Sequence, residues 1–439
     1  MSHVPVVILG AGLAGLSTAT FYGPDCLVLE REATPGGLSR TDVRGDRGQY
    51  LFDVTGHWLH LRHPHLRALV ERVLGGRLLT VLRKSAVYSN RVFTPYPFQA
   101  NFAGLPPQVV KECLLGYVEA KLKEARGELG EPRHFGEYID RHFGAGIARH
   151  FMIPYNTRLW GVRPDEITAE WCGRFIPRPG LDEVIDGALG LRAHAMGYNA
   201  SFVYPAEGGI GTLATALAAP LTDRIRYGTE VTAIDPVRRV LRHAGGEVSY
   251  DRLVSSLPLP ALIARLEGID PALKAAAGRL RATRLRYLNV AVRGRGVLRG
   301  NHWVYVPEER FPFYRLGCFS NAVGYMAPEG ESTLYVECSN LLGPEWTDER
   351  LKAALADFLV EIGEADGPNC ITFAEVREIP VAYVLFDHPY FEATRVLHDA
   401  LAARGIDSIG RYGRWIYNSM EDSLQDGYET AAKLRGEAP

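Results

Sequence analysis

Short apolar runs alternate with glycine clusters from the first residues of the chain. Val6-Val7-Ile8-Leu9 leads directly into Gly10-Ala11-Gly12-Leu13-Ala14-Gly15. A second run, Cys26-Leu27-Val28-Leu29, closes on Glu30. Runs of this length bounded by glycine predict buried strands, and the stretch between them predicts a helix. A second glycine turn, Gly36-Gly37-Leu38-Ser39, follows, and Tyr50-Leu51-Phe52-Asp53 predicts a short strand ending at Gly56-His57. Residues 1–80 therefore read as α/β. Residues 105–175 read as helical: Val110, Cys113, Leu114, Tyr117 and Leu122 keep roughly helical spacing, and Pro106-Pro107 suits a helix start. A second helical stretch is predicted near 134–151.

The pattern changes near residue 203. A glycine loop, 204–211, leads into an alanine-leucine helix at 212–219, followed by strand-like runs at 225–227, 230–234 and 248–254. Residues 286–340 carry four strand-like runs separated by turn residues, which predicts an antiparallel sheet. Leu351, Leu355, Phe358, Leu359 and Ile362 mark one face of a helix. The chain then gives a last strand and glycine turn, 406–413, and a helix over about 420–434.

At 439 residues the chain is too long for one ordinary core, so two or three domains are expected. A net charge of −2 leaves no electrostatic footprint for nucleic acid or an anionic membrane. No apolar run reaches the length of a spanning helix, and no signal segment precedes the first strand, so a cytoplasmic protein is expected. The six cysteines are scattered without a C-x-x-C pair and read as buried small hydrophobes. His57, His60 and His63 lack partners at metal spacing and read as loop residues, so no metal is expected.

The glycines carry the first chemistry. In Gly10-x-Gly12-x-x-Gly15, the first glycine makes the tight turn, the second admits a pyrophosphate and the third lets helix and strand pack closely. The helix N-terminus offers free N–H groups to the phosphates. Glu30, twenty residues after Gly10, suits a ribose 2′-hydroxyl. The alternative is a tight strand–helix turn with no ligand. Similar strand, glycine and helix signals recur in the middle and at the end of the chain. A discontinuous Rossmann-type fold of this kind suits FAD better than a nicotinamide cofactor. The predicted architecture is α/β: a FAD-binding domain from residues 1–85, 201–280 and 401–439, a mainly helical insertion at 86–200, and an antiparallel-sheet substrate domain with a helix at 281–400.

Gly10 to Gly15, Glu30 and Gly36-Gly37 resemble the FAD signature of the flavin amine oxidase superfamily. That superfamily includes monoamine oxidases, protoporphyrinogen oxidases, phytoene desaturases and UDP-galactopyranose mutases. Several further segments are most similar to the mutase branch: Gly56-His57, the Pro-Phe loop at 96–102, Tyr155-x-x-x-x-Trp160-Gly161, the segment around Arg174, Pro312-Phe313-Tyr314-Arg315, and Gly410-Arg411-Tyr412-Gly413 through Tyr417. The resemblance implies FAD held by Gly10, Gly12, Leu13, Ala14, Gly15, Glu30, Arg31, Gly36, Gly37, Leu38, Ser39, Gly56, His57, Val231, Gly410, Arg411, Ser419 and Met420. One departure stands out: Ser419 takes a position where the mutases usually carry aspartate. The branch is therefore carried over and the galactose substrate is not.

The mutase resemblance implies a nucleotide-diphosphate sugar as substrate, with Arg174 and Arg315 as a diphosphate clamp and Tyr155 and Tyr417 as hydroxyl donors. Guanidinium suits this task because its planar fork bonds phosphate oxygens bidentately. For either arginine the competing reading is a structural salt bridge. Trp160 is set to stack on a base, or else is a core tryptophan. His57 is set to reach the flavin edge and tune it, or else is a structural histidine. Asp53 and Glu207 receive no catalytic role.

In this reading His57, Arg174, Arg315 and Tyr417 serve catalysis. Reduced flavin N5 attacks the anomeric carbon and the nucleotide leaves. The adduct opens as an iminium and recloses with a different ring size, and the nucleotide returns without net redox change. An external reductant is needed, with NAD(P)H a candidate, and a homo-oligomer is left open. The alternatives are a FAD-dependent amine or protoporphyrinogen-type oxidoreductase, and a flavin-binding protein without turnover.

Overall fold

The structure, a computed structural model, describes residues 2–191 and 200–437, with Ser2, Arg174 and Phe175 described by their backbone alone. Two large sheets organise it, each of seven strands among the described residues. In the first, Ser2–Leu9 lies between Cys26–Leu29 and Gly246–Ser255, parallel to both. Ile406–Ser408 pairs parallel with Gly246–Ser255 on its other side. Val6 to Leu9 and Cys26 to Leu29 are all buried, as expected of parallel strands covered on both faces. The sheet thus joins strands from the start, middle and end of the chain. The helix Leu13–Tyr22 covers it, and the final helix, Met420–Arg435, packs along that helix.

The second sheet runs in the order Ile371–Ile379, Leu285–Arg293, Glu331–Cys338, Phe313–Cys318, Trp303–Tyr305, Ser85–Ser89, Val92–Pro95. The side-chain period of two divides its faces. Leu288, Val290, Val292, Leu334 and Val336 point outward and are sealed by Leu351, Leu355, Phe358 and Leu359 of the helix Asp348–Glu361. The alternate residues form the inner face and turn toward the first sheet.

Between the sheets in sequence lie the helices Pro107–Ala125 and Phe135–Ile147, which pack on one another. Backbones approach closely there: a side chain at Gly146 would run into the Glu112 carbonyl, and one at Gly144 into that of Gly116. Gly144 breaks its helix with φ 72°, and a π turn, Ala148–Met152, joins it to Ile153–Trp160.

Several elements differ from the sequence expectation. The start of the stretch expected to be mainly helical, 86–200, is a hairpin, Ser85–Ser89 with Val92–Pro95, attached to the second sheet. The helices Pro64–Val73 and Tyr390–Ala402 were not anticipated, nor was the strand Ile371–Ile379, whereas Leu181–Leu189 falls in the stretch expected to be mainly helical. Leu78–Leu82 finds its partner in Ser201–Pro205, more than a hundred residues away. No helix among the described residues is long and apolar enough to cross a membrane.

Candidate functional site

The first half of the site is backbone. The Gly10 N–H donates to the Leu29 carbonyl at 2.9 Å, and Gly10 holds φ 97°, a conformation other residues rarely adopt. A side chain at Gly15 would run into the Gly10 carbonyl. Gly12 is different: a Cβ there would meet nothing within 4 Å, and one at Gly37 would meet only Gly12 Cα at 3.8 Å. Both glycines therefore face open space at the N-terminus of Leu13–Tyr22, whose Gly12 cap supplies no side-chain acceptor. The second glycine turn is tied to the first by the Gly36 N–H, which donates to the Ala11 carbonyl at 2.8 Å.

Glu30 braces this arrangement. Its Oε2 accepts from the Ala11 N–H at 2.7 Å and its Oε1 from the Glu32 N–H at 2.8 Å. Its backbone carbonyl accepts from Thr229, which brings Val231 to the same end of the sheet. Ser39 closes the Gly36 turn through its N–H, Leu38 is partly buried against the core, and Arg31 is exposed and pairs with Glu32. From the far end of the chain, Gly410 approaches so closely that a Cβ would lie 2.9 Å from that of Ala14. Ser419 caps the helix Met420–Arg435: its Oγ accepts from the Asp422 N–H and donates to Asp422 Oδ2. The open space beside Gly12 and Gly37, at a helix N-terminus, fits the pyrophosphate of a dinucleotide.

The second half is side chain. Strand register lines up Arg377, Tyr287, Glu337, Arg315 and Tyr305 in one row across the inner face of the second sheet. Arg315 donates bidentately to Glu337, Nε to Oε2 at 2.9 Å and Nη2 to Oε1 at 2.6 Å, and Nη2 also donates to Tyr383 Oη at 3.0 Å. Glu337 is wholly buried while Arg315 keeps 20% of its side-chain surface. Burial pulls the Arg315 guanidinium down, but Glu337, Tyr383, Tyr155 and Tyr335 more than offset this and hold it well above its usual range. In the next row, Tyr335 lies across Gly317 and reaches Gly56; side chains at either glycine would overlap its ring or hydroxyl.

Arg411 completes the wall. Its Cζ sits 4.7 Å from the ring centre of Tyr417 and 5.4 Å from that of Tyr383, and those rings stack on each other at 6.0 Å. His57, Tyr305, Arg315, Tyr383, Arg411 and Tyr417 are all partly exposed and border accessible space, with Glu337, Tyr335, Tyr314 and Tyr155 behind them. Burial, then the Arg411 charge, pushes the His57 ring down to about 4, so it is neutral at ordinary pH. Among the described residues its Nδ1 makes no hydrogen bond of ordinary geometry, although the Val54 and Thr55 backbone lies near enough to act on the ring the other way.

The sequence set Trp160 beside a base, or else in the core, and Tyr155 as a hydroxyl donor to the diphosphate. Trp160 is 3% exposed, edge-on to Trp171 at 5.2 Å and Tyr383 at 5.8 Å; Tyr155 stacks on Phe151 at 5.3 Å. The side chain of Arg174 lies outside the described residues. Glu337, Tyr335, Tyr305 and Tyr383 were missed. The signal was partly present: Tyr335 and Glu337 alternate within a run already read as a strand.

Asp53, given no role from sequence, is fully buried between the two halves. It accepts from Thr41 Oγ1 at 2.6 Å, from the Tyr204 hydroxyl and from the Ile210 N–H. Burial pushes it up to about 7 despite these donors. Among the described residues no group of three His, Cys, Asp or Glu is arranged to hold a metal ion.

The family model for flavin containing amine oxidoreductase matches residues 13–358. The chain is similar to a crystal structure of reduced UDP-galactopyranose mutase, with 27% identity, a TM-score of 0.90, and coverage of 99% of this chain and 94% of that one. It shares its fold with a putative protoporphyrinogen oxidase from Exiguobacterium sp. 255-15 at 16% identity and TM-score 0.72, covering 99% of both chains. It also shares its fold with cyclohexylamine oxidase from Brevibacterium oxydans IH-35A at 16% identity and TM-score 0.69, again covering 99% of both.

Proposed function

Because the chain belongs to the flavin containing amine oxidoreductase family and is a flavoenzyme with FAD as its cofactor, we propose that it rearranges a nucleotide-diphosphate sugar without net redox change. The observation that carries this reading is the wall facing His57. Two guanidinium groups, Arg315 and Arg411, stand among tyrosines where an oxidase acting on a hydrophobic amine would present an apolar tunnel. The similarity to UDP-galactopyranose mutase over nearly the whole of both chains supports the same substrate class.

On this reading the N–H groups of residues 12–15 hold the cofactor pyrophosphate, with Gly36 and Gly37 beside them and Glu30 on the ribose. Gly56, His57, Gly410 and Arg411 meet the flavin ring. Residues 1–85, 201–280 and 401–439 then act together as the cofactor domain. Bound and reduced, FAD supplies the nucleophile for exchange at the anomeric carbon.

The chain's own residues bind and orient. Arg411 and the exposed edge of Arg315 hold the diphosphate, joined by Arg174, and the Tyr417 and Tyr155 hydroxyls donate to it. The tyrosine rings exclude water from the sugar. Neutral His57 presents an uncharged ring to the flavin edge. The reaction needs a reductant for the flavin, for which NAD(P)H is a candidate.

One observation favours the oxidoreductase alternative: Tyr383 and Tyr417 stack as a pair of aromatic walls. Arg411 already faces both rings, and an ammonium substrate would meet like charge there. The test is to titrate FAD-loaded enzyme with UDP by flavin fluorescence and to assay UDP-sugar isomerisation with and without dithionite. Quenching by UDP and isomerisation only after reduction are expected. An enzyme that ignores UDP, stays inactive after reduction and oxidises amines with O₂ would overturn the proposal.

A further inference from the structure

The helix Ile153–Trp160 carries a cation that no carboxylate among the described residues answers. Arg158 is 3% exposed, and its guanidinium donates only to backbone carbonyls. Nη1 reaches Val306 at 2.9 Å and Glu308 at 2.7 Å, and Nη2 reaches Phe313 at 2.7 Å and also Phe311. Burial pulls its guanidinium down to about 10, with exposed Glu309 acting weakly the other way. Buried charges are usually paired, so an unpaired one solvated by four carbonyls calls for a reason.

The four carbonyls share one origin. Residues 306–313 connect Trp303–Tyr305 to Phe313–Cys318, the two strands that bring Tyr305, Tyr314 and Arg315 to the site. Arg158 itself stands between Tyr155 and Trp160 on its helix. Tyr155 meets Tyr305 edge-on at 5.3 Å and Tyr314 at 5.8 Å. Asn340, just past the strand Glu331–Cys338, adds to the same joint: its N–H donates to the Arg158 carbonyl at 3.0 Å and its Nδ2 to that of Leu159 at 2.7 Å.

We infer that Arg158 is a positioning residue of the substrate pocket, fixing the helix of Tyr155 and Trp160 against the hairpin of Tyr305, Tyr314 and Arg315. It thereby sets how Tyr155 and Tyr305 stand beside Arg315, and in this it rests on the nucleotide-sugar reading above. A planar fork is required. Lysine keeps the charge but presents its donors from a single point and cannot span four carbonyls.

The test uses FAD-loaded Arg158→Lys and Arg158→Met enzymes titrated with UDP. Both should keep the wild-type flavin spectrum and midpoint potential and raise the UDP dissociation constant about 10–100-fold. In turnover, KM should rise more than kcat falls. A merely structural role would lower the melting temperature and the FAD content while leaving the UDP affinity of the remaining holoenzyme unchanged. R158K binding UDP as tightly as wild type overturns the inference.

If neither Arg158 variant loads FAD, Asn340→Ala decides in the same assay, with a rise of about 3–10-fold expected and no change overturning. If wild type itself does not bind UDP, the nucleotide reading fails by itself. Hydrogen exchange then decides the joint. Arg158→Lys should lose amide protection over 308–316 and keep it over 6–29, and unchanged protection over 308–316 overturns the inference.

Discussion

The glycine cradle and the arginine–tyrosine wall meet in one site but are built on opposite principles. The cradle works by leaving atoms out: Gly12 and Gly37 open onto space, Gly15 lets backbone approach backbone, and Gly410 leaves room for the Ala14 side chain. The wall works by placing charge, with Arg315 held by buried Glu337 and Arg411 faced by two tyrosine rings. The cradle is a shape that any added atom spoils. The wall is a balance of charges that any removed atom upsets.

Substitutions that act on one half alone sharpen this contrast. The largest effect is expected at Gly15→Val, whose side chain would enter the space of the Gly10 carbonyl and of Ile8. Purified protein should contain essentially no FAD by absorbance, and a yellow variant would break the shape argument. In the wall, Glu337→Ala should destabilise by about 3–5 kcal/mol in urea, because it leaves the Arg315 cation largely buried without its partner. A change under about 1 kcal/mol would mean that the pair is solvated after all.

Asp53 lies between the halves and gives a pH signature. Its carboxyl is pushed up to about 7 in the folded protein, against an ordinary value near ~4. The native state therefore binds its proton more tightly than the unfolded chain does. The stability it contributes is full below pH about 4 and is lost as pH rises through about 7, by at most about 4 kcal/mol. Urea midpoints of wild type should fall across that window, and Asp53→Asn should flatten the slope. Equal slopes in the two proteins would remove Asp53 as its source.

Arg411→Ala should keep FAD and weaken UDP binding about 10–100-fold, through loss of a charge-assisted contact. Parallel loss of FAD would mean that its contact with the flavin ring outweighs its hold on the diphosphate. The smallest effect is expected at Ser419→Ala. Losing its cap should cost about 1 kcal/mol in thermal or urea unfolding. FAD affinity should stay within about threefold, because the Ser419 hydroxyl is already engaged with Asp422.

The same contrast explains what was readable in advance. The turn at 10–15, the acid Glu30 and the strand Tyr50–Asp53 are local patterns, written in neighbouring residues. The helix Pro64–Val73 is local too, with Leu66, Leu69, Val70 and Val73 at helical spacing, but it carries no glycine signal to mark it. Ile371–Ile379 was harder: as an edge strand it is only partly buried, and its identity rests on pairing with Leu285–Arg293.

The wall was hardest of all. Arg315 and Glu337 are partners only because two strands pair in one register, and a slip of one residue would turn Glu337 to the opposite face. For Arg315 the structural salt bridge is observed, and the diphosphate role remains a proposal. Arg315 keeps an exposed edge at the site.

The cradle also constrains how the molecule is assembled. Its floor, Leu13–Tyr22, and its lid, Met420–Arg435, are joined by Ser17 Oγ donating to the Leu424 carbonyl across 407 residues of chain. Gly427 lets that lid settle against the Ala14 carbonyl. The first helix of the cradle therefore finds its packing partner only at the far end of the chain. A contact of such sequence separation forms late, because the chain must close a loop of that length before the contact stabilises anything.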